Sequence, residues 1–319
     1  MQQRQLGRSG IQASAIIMGT WQAGKAMWTD IDDNQTRRAM RAAFDAGITT
    51  FDTAEAYGNG HSERIIAKAL SDVRDKVVLA TKVFSNHLKH DQIIAACNRS
   101  LKNLNTDYID LYQVHWPPGS FGHQAVPMEE IMRAMLQLKE EGKIRAIGVS
   151  NFNRQQMEEI AQYGRIETLQ PPYSLFWRGV EKQAGPYCRE QDITLLAYSP
   201  LAQGVLTGKF GPGHKFAEGD HRSGNRLFQP DNYGRVQEAL GQLRPIADKS
   251  AISLGQLALA WVVAQPNACA IAGARNSDQA VQNAAAGDIA LEDEDLQAMD
   301  RIGRSVTDHL DDNPVLWKW

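Results

Sequence analysis

Two hydrophobic periods alternate along the chain. Short apolar runs are each followed by a longer stretch with apolar residues three and four apart, so strands alternate with amphipathic helices. The first unit is "SAIIMG" (14–19) and then "NQTRRAMRAAFDAG" (34–47), a helix stopped by Gly47. "TTFD" (49–52) precedes "SERIIAKAL" (62–70), where Ile65, Ile66, Ala69 and Leu70 share one face and Ser62 is the expected N-cap. "KVVLATK" (76–82) leads into a helix over 90–104, and "YIDLYQVH" (108–115) into one over 128–142. "IRAIGVSN" (144–151) and "ETLQPPY" (167–173) are followed by helical patterns at 154–164 and 181–191, the latter interrupted by Gly185-Pro186. After "ITLLAYSPL" (193–201) comes a long irregular stretch to about 232, then helical segments over 235–249 and 253–264. "ACAIAGA" (268–274) and "SDQAVQNAAAG" (277–287) close the series.

These are eight strand–helix units, spaced roughly every 30–40 residues as βαβ steps are. The strands are apolar on both faces, as in a parallel sheet covered by helices. The pattern predicts an α/β protein, a (β/α)8 TIM barrel, with residues 1–319 as one domain. A doubly wound sheet is the alternative, but "GTWQAGKAMW" after the first strand is not its Gly-rich phosphate loop. The leading "QRQLGRSGIQ" reads as a β-hairpin turning at Ser9-Gly10, placed as a lid over the barrel bottom. The acidic "LEDEDL" reads as a helix start favoured by the dipole.

Composition narrows the function classes. With 319 residues, 43% hydrophobic, 22% charged and a net charge of −3, the chain has an ordinary globular balance and no basic run suited to nucleic acid. Its apolar stretches are too short or too interrupted to span a bilayer, and the polar N-terminus shows no signal peptide. Cys97, Cys188 and Cys269 lie far apart, which suits buried thiols in a reducing cytoplasm.

In such a barrel the working groups sit at the C-terminal strand ends. Those ends carry Asp52 (with Tyr57 just beyond), Lys82, His115 followed by Trp116, Ser150-Asn151, Gln170, Tyr198-Ser199, and Gly273 with Arg275 after it. Alone, each fits a solvated rim or a cap. Together, an acid, a phenol, a lysine and a histidine on successive strand ends converge on one mouth. The Lys82 charge is expected to lower the Tyr57 pKa, Asp52 to hold the ammonium, and His115 to orient a substrate oxygen. There is no activated nucleophile and no two-histidine metal spacing, so no metal is assigned. The site is suited to protonating an oxygen while something else supplies the other reactant.

The set "GITTFDTAEAYGNGHSE", "VLATK", "IDLYQVHWP", "IRAIGVSNF", "YSPLAQGVLTGKF" and "IAGARNSDQAVQN" resembles the aldo-keto reductase superfamily over essentially the whole chain. The pattern is closer to its bacterial branch near the potassium-channel β subunits and general-stress-type reductases. The resemblance implies a catalytic tetrad of Asp52, Tyr57, Lys82 and His115, with Tyr57 the general acid, a small carbonyl substrate, and hydride from NADP(H).

It also places the cofactor. Gly19, Thr20, Trp21 and Asp52 lie at the first strand ends. Ser150, Asn151 and Gln170 would hold the nicotinamide carboxamide, and Tyr198 would stack on its ring. Ser199, Pro200, Leu201, Gly204 and Lys209 would wrap the pyrophosphate. Gly273, Arg275, Gln279, Gln282 and Asn283 would meet the adenosine end, with Arg275 suited to the 2′-phosphate of NADP. The commonest reductases have a Lys-Ser pair and then an Arg there, where this chain has Arg275-Asn276 and Gln279. Arg222, in the long loop after the seventh barrel strand, is a further candidate to reach the cofactor. Trp21, Tyr57, Phe84, His115, Trp116 and Trp177, with Phe176 beside it, are the expected substrate-pocket lining. Trp317 and Trp319 in the tail fold over the mouth or support self-association. An NADP(H)-binding redox sensor or accessory subunit is the alternative function. A barrel hydrolase or isomerase lacks a matching signature.

Overall fold

The structure, a computed structural model, describes residues 1–25, 28, 30–218 and 220–311; Trp317 and Trp319 lie outside the described residues. Strands β1 (Gln3–Gln5) and β2 (Gln12–Ser14) form an antiparallel hairpin. Eight further strands close a barrel: β3 (Ile16–Gly19), β4 (Thr50–Asp52), β5 (Val78–Val83), β6 (Ile109–Val114), β7 (Ile144–Ser150), β8 (Thr168–Gln170), β9 (Thr194–Tyr198) and β10 (Ala268–Gly273). Every neighbouring pair is parallel, and β10 returns to pair with β3. Outside the barrel run α1 (Asp33–Asp45), α2 (His61–Leu70), α3 (His90–Leu104), α4 (Met128–Glu140) and α5 (Arg154–Ile160). They are followed by α6 (Ala184–Glu190), α7 (Pro230–Lys249), α8 (Leu254–Val263), α9 (Ser277–Ala285) and α10 (Asp293–Thr307). This is the (β/α)8 TIM barrel expected from the hydrophobic pattern.

Alternation along the strands makes two cores. Outward residues such as Phe51, Leu79, Tyr112 and Val149 pack with the helices in the larger core. Inward Ile17, Ala80, Leu111, Ala146, Leu196, Cys269 and Ile271 fill the barrel interior. Leu6 and Ile11 of the hairpin complete that inner cluster, so the hairpin does lie over the barrel bottom. Its turn is pinned there: Gly7 N–H donates to Thr194 Oγ1 (2.9 Å) and Arg8 N–H to Glu167 Oε2 (2.7 Å). Above the apolar layer the inward residues turn polar, which leaves the C-terminal mouth as the chemically equipped end.

Helix ends follow local chemistry, with one correction. Asp32, Asn153, Ser253 and Asn276 cap α1, α5, α8 and α9 through their side chains. Ser62 is not the N-cap of α2: the helix begins one residue earlier, after Gly60 at φ 76°. The Ser62 hydroxyl is instead buried, donating to Thr20 O (3.0 Å) and accepting from Thr53 Oγ1 (2.8 Å). Pro186 falls in the first turn of α6, where a missing N–H costs nothing, so the helix starts at Ala184 rather than breaking. The first turn of α10 carries Asp293, Glu294 and Asp295, as the acidic run predicts. Among the described residues no single helix is long and apolar enough to cross a membrane.

Candidate functional site

Register brings the polar strand ends to one level. Asp52 lies opposite Gly19 and Ala80, Lys82 opposite Gln113, and Ser150 opposite Gln170. His115 follows β6 directly, and its N–H donates to Val83 O (2.9 Å). Tyr57 reaches the same space from the β4–α2 loop. That loop turns tightly: Gly58 has φ 63°, and a Cβ there would lie 2.3 Å from Gly24 O, so only glycine allows the approach. "GNG" serves here as a turning device.

The centre is a buried ion pair. Lys82 Nζ donates to Asp52 Oδ1 (2.6 Å) and Thr53 O (2.7 Å), and reaches the Tyr57 hydroxyl at 3.5 Å. The other Asp52 oxygen accepts from Gln170 Nε2 (2.9 Å) and Gln113 Nε2 (3.4 Å). His115 meets the Tyr57 ring edge-on, centroids 5.7 Å apart. So the structure brings Asp52, Tyr57, Lys82 and His115 together.

Their protonation follows from burial. Dehydration, with the Lys82 charge adding to it, holds the His115 pKa well below the usual imidazole value, so the ring is neutral. Burial also lowers the Lys82 pKa, against the opposing pull of Asp52. The expectation that Lys82 lowers the Tyr57 pKa is not met. Burial first, and then the Asp52 carboxylate, push it well above the usual phenol value. Asp52 neutralises most of the ammonium's field at contact distance, while the phenol is a further ångström away. Tyr57 is therefore held as a protonated donor.

Beyond this centre lies a strip toward β7–β10. Asn151, at φ 63°, donates from Nδ2 to His115 O (3.1 Å) and accepts at Oδ1 from the Tyr198 hydroxyl (2.8 Å). Ser150 Oγ donates to Gln170 O (2.8 Å). Thr20 Oγ1 donates to Asp52 O (2.9 Å), and Trp21 packs edge-on against Trp28. Past Tyr198, the backbone enters the left-handed region at Ser199 (φ 53°), Ala202 (48°), Gln203 (57°) and Gly204 (94°). Pro200 and Leu201 lie within this turn. At the end of β10, Asn283 Nδ2 donates to Gly273 O (3.1 Å), Arg275 N–H donates to Gln279 Oε1 (2.9 Å), and Gln282 accepts at its backbone carbonyl from Gln256. The Arg275 guanidinium also lies over the Trp28 ring.

These residues suit a dinucleotide. Partial burial, then the Arg222 and Arg275 charges, lower the Lys209 pKa against the pull of Asp220, so an anion bound near Lys209 would be favoured. The left-handed run beside Lys209 is backbone of the kind that gathers N–H groups around an anion. Among the described residues the buried Gln203 Nε2 has no partner. Arg222 is in this cluster, chelated by Asp220 and stacked on Phe216 with its Cζ 4.9 Å from the ring centre.

An aromatic wall faces the other side of the mouth. Phe84 lies edge-on to His115 (5.5 Å) and stacks on Phe121 (5.5 Å), which meets Trp116 edge-on (5.0 Å). Phe176 is not part of the lining. It is fully buried within the larger hydrophobic cluster, and Trp177 is almost as deep, at 4% exposure. Sequence reading missed Phe121 and Gln113. The second had a signal, a lone amide inside the apolar strand "IDLYQV".

Comparison with known proteins agrees with this architecture. A model of the aldo/keto reductase family matches residues 15–304. Aldo-keto reductase YhdN of Bacillus subtilis (strain 168) is 40% identical over 88% of this chain and 86% of its own. The NADH-specific methylglyoxal reductase of Escherichia coli (strain K12) is 33% identical over 94% and 98%. A probable voltage-gated potassium channel subunit beta of Oryza sativa subsp. japonica is 33% identical over 91% and 92%. Among solved structures, glycerol dehydrogenase AKR11B4 from Gluconobacter oxydans superposes with a TM-score of 0.88 at 33% identity, covering 97% of both chains. An aldo/keto reductase from Klebsiella pneumoniae, in complex with NADP and acetate, gives 0.76 at 33% identity over 95% of both. With the barrel, the polar mouth and these matches in agreement, the chain belongs to the aldo/keto reductase family of oxidoreductases.

Proposed function

We propose that this protein reduces aldehydes or ketones to alcohols with NADPH, with Tyr57 as the general acid and all of residues 1–319 serving one reductase domain. The observation that carries this reading is the Tyr57 hydroxyl, kept protonated beside the buried Lys82–Asp52 pair and the neutral His115 ring. A reduced nicotinamide held along β7–β10 would supply the hydride for the carbonyl carbon. Tyr57 donates its proton to the developing alkoxide oxygen, which balances the hydride and leaves an alcohol. Lys82 stabilises the resulting phenolate, and the neutral His115 imidazole orients the carbonyl oxygen. Asp52, held by Gln170 and Gln113, keeps the ammonium aimed.

Ser150, Asn151, Gln170 and Tyr198 would hold the nicotinamide end, and Lys209 with the turn at 199–204 would hold the pyrophosphate. Arg275 favours a 2′-phosphate, and hence NADP over NAD. The Klebsiella relative's complex with NADP supports this, and the NADH-specific Escherichia coli relative makes it a point to measure. Steady-state assays over a panel of aldehydes and ketones, with NADPH and NADH in parallel, test the reading. The likeness to a channel β subunit favours one second reading, a cofactor-loaded sensor with little turnover. Tight NADPH binding with no turnover on any carbonyl would select it.

A further inference from the structure

We infer that Glu55, which no step above uses, is the positioning residue that sets Lys82 and Phe84 against Tyr57. It sits two residues before Tyr57 and grips the end of β5 on both sides of Val83. Its N–H donates to Lys82 O (3.3 Å), and its Oε1 accepts from Phe84 N–H (3.0 Å). Its own carbonyl accepts from Gly60 N–H (2.8 Å), which closes the loop that carries Tyr57. One residue thus ties together the proposed acid, the strand end bearing the ammonium, and the aromatic wall that meets His115.

The carboxylate is placed for this work. Its side chain is only 10% exposed, and it accepts from three donors, two in the turn after β5 and one on α3. His87, in the turn after β5, contributes Nδ1 to Oε1 (2.9 Å), and Arg99 on α3 donates Nη2 to Oε2 (3.1 Å). A carboxylate only accepts, so His87 must present N–H there. Two cationic or polar side chains thereby hold the carboxylate against a main-chain N–H of the pocket rim. The pairing with half-exposed Arg99 contributes little by itself, but the bond to a main-chain N–H beside the catalytic strand end fixes geometry rather than charge.

This inference rests on the reductase reading, and the test separates the two. Glu55→Ala and Glu55→Gln are compared with the wild-type protein. The readouts are benzaldehyde reduction per NADPH-binding site, NADPH affinity, and hydrogen exchange of the Phe84 amide. Glu55→Ala is expected to lose roughly ten- to hundredfold in kcat/KM, with KM raised as well as kcat lowered. NADPH affinity stays unchanged and exchange at Phe84 quickens. Glu55→Gln, which keeps an acceptor for Phe84 N–H, recovers most of the loss. A merely structural role would lower melting temperature and the number of binding sites while leaving KM alone. Unchanged kcat/KM in Glu55→Ala, unchanged Phe84 exchange, or Glu55→Gln as impaired as Glu55→Ala would each overturn the inference. If the wild-type protein reduces no carbonyl, the reductase reading fails, and the Phe84 exchange alone then decides for or against the grip.

Discussion

The Lys82 ammonium lies 2.6 Å from the Asp52 carboxylate, and both side chains are sealed from solvent, at 0% and 4% exposure. Such a pair is costly to assemble and more costly to halve, because the remaining charge is left buried and alone. Asp52→Asn should therefore destabilise the fold by about 3–5 kcal/mol, read by denaturant unfolding. The pH dependence gives a sharper sign. With Asp52 gone, dehydration depresses the Lys82 pKa further below its unfolded value. The folded state then sheds its proton at a pH where the unfolded chain still keeps one. Stability of Asp52→Asn should rise as pH climbs through the depressed folded value toward ~10.4, the unfolded lysine value. A deficit that stays constant from neutral to alkaline pH would show that Lys82 is not the group left stranded.

The pH–rate profile of carbonyl reduction follows from the two rings. His115 is neutral because its pKa lies well below the usual imidazole range, so no acid limb should appear near ~6.5. A general acid works protonated, and the raised Tyr57 pKa extends that form upward. The plateau should run through neutral pH, with the alkaline fall set by Lys82 and Tyr57. A midpoint near pH 7 in kcat/KM would contradict both assignments.

Cofactor choice is tested at Arg275. Removing a charged hydrogen-bond donor from a phosphate costs about 1.5–3 kcal/mol, which is roughly a ten- to hundredfold loss. Arg275→Met should show that loss for NADPH and little change for NADH in fluorescence titrations. Equal weakening of both would place Arg275 on a part of the cofactor that the two share.

The turn behind Tyr57 offers a stability test free of charge effects. At Gly58 a side chain meets both a left-handed φ of 63° and the Gly24 carbonyl, 2.3 Å from the Cβ position. Gly58→Ala should cost about 1–3 kcal/mol and lower the melting temperature. Reductase activity should fall with it, since the same turn aims Tyr57. A variant as stable as the wild-type protein would mean the loop relaxes freely.

Much of this was legible from sequence because barrel strands state their two faces in the residues themselves. The helix at 90–104 matches α3 at both ends, and Asp52, Lys82 and His115 fall at strand ends as expected. What was not legible depends on partners distant in the chain. Ser62 resembled a cap, but Thr20, 42 residues away, shares its hydroxyl. Phe176 and Trp177 look alike in sequence to rim aromatics, and only packing shows that they belong to the larger hydrophobic cluster. The Tyr57 pKa moved opposite to expectation because burial of the phenol, which only the folded chain shows, penalises phenolate first and the Asp52 carboxylate adds to it. Glu55 carries no signal of its role in the sequence, since its five bonds join the main chain at Lys82, Phe84 and Gly60 to His87 and Arg99.

The central claim is that the Tyr57 hydroxyl delivers the proton, and one substitution removes only that oxygen. Tyr57→Phe, assayed by NADPH consumption with a saturating aldehyde alongside NADPH titration, should lose roughly 10²–10⁴-fold in kcat while binding NADPH as the wild-type protein does. Carbonyl reduction near the wild-type rate in that variant would contradict the account.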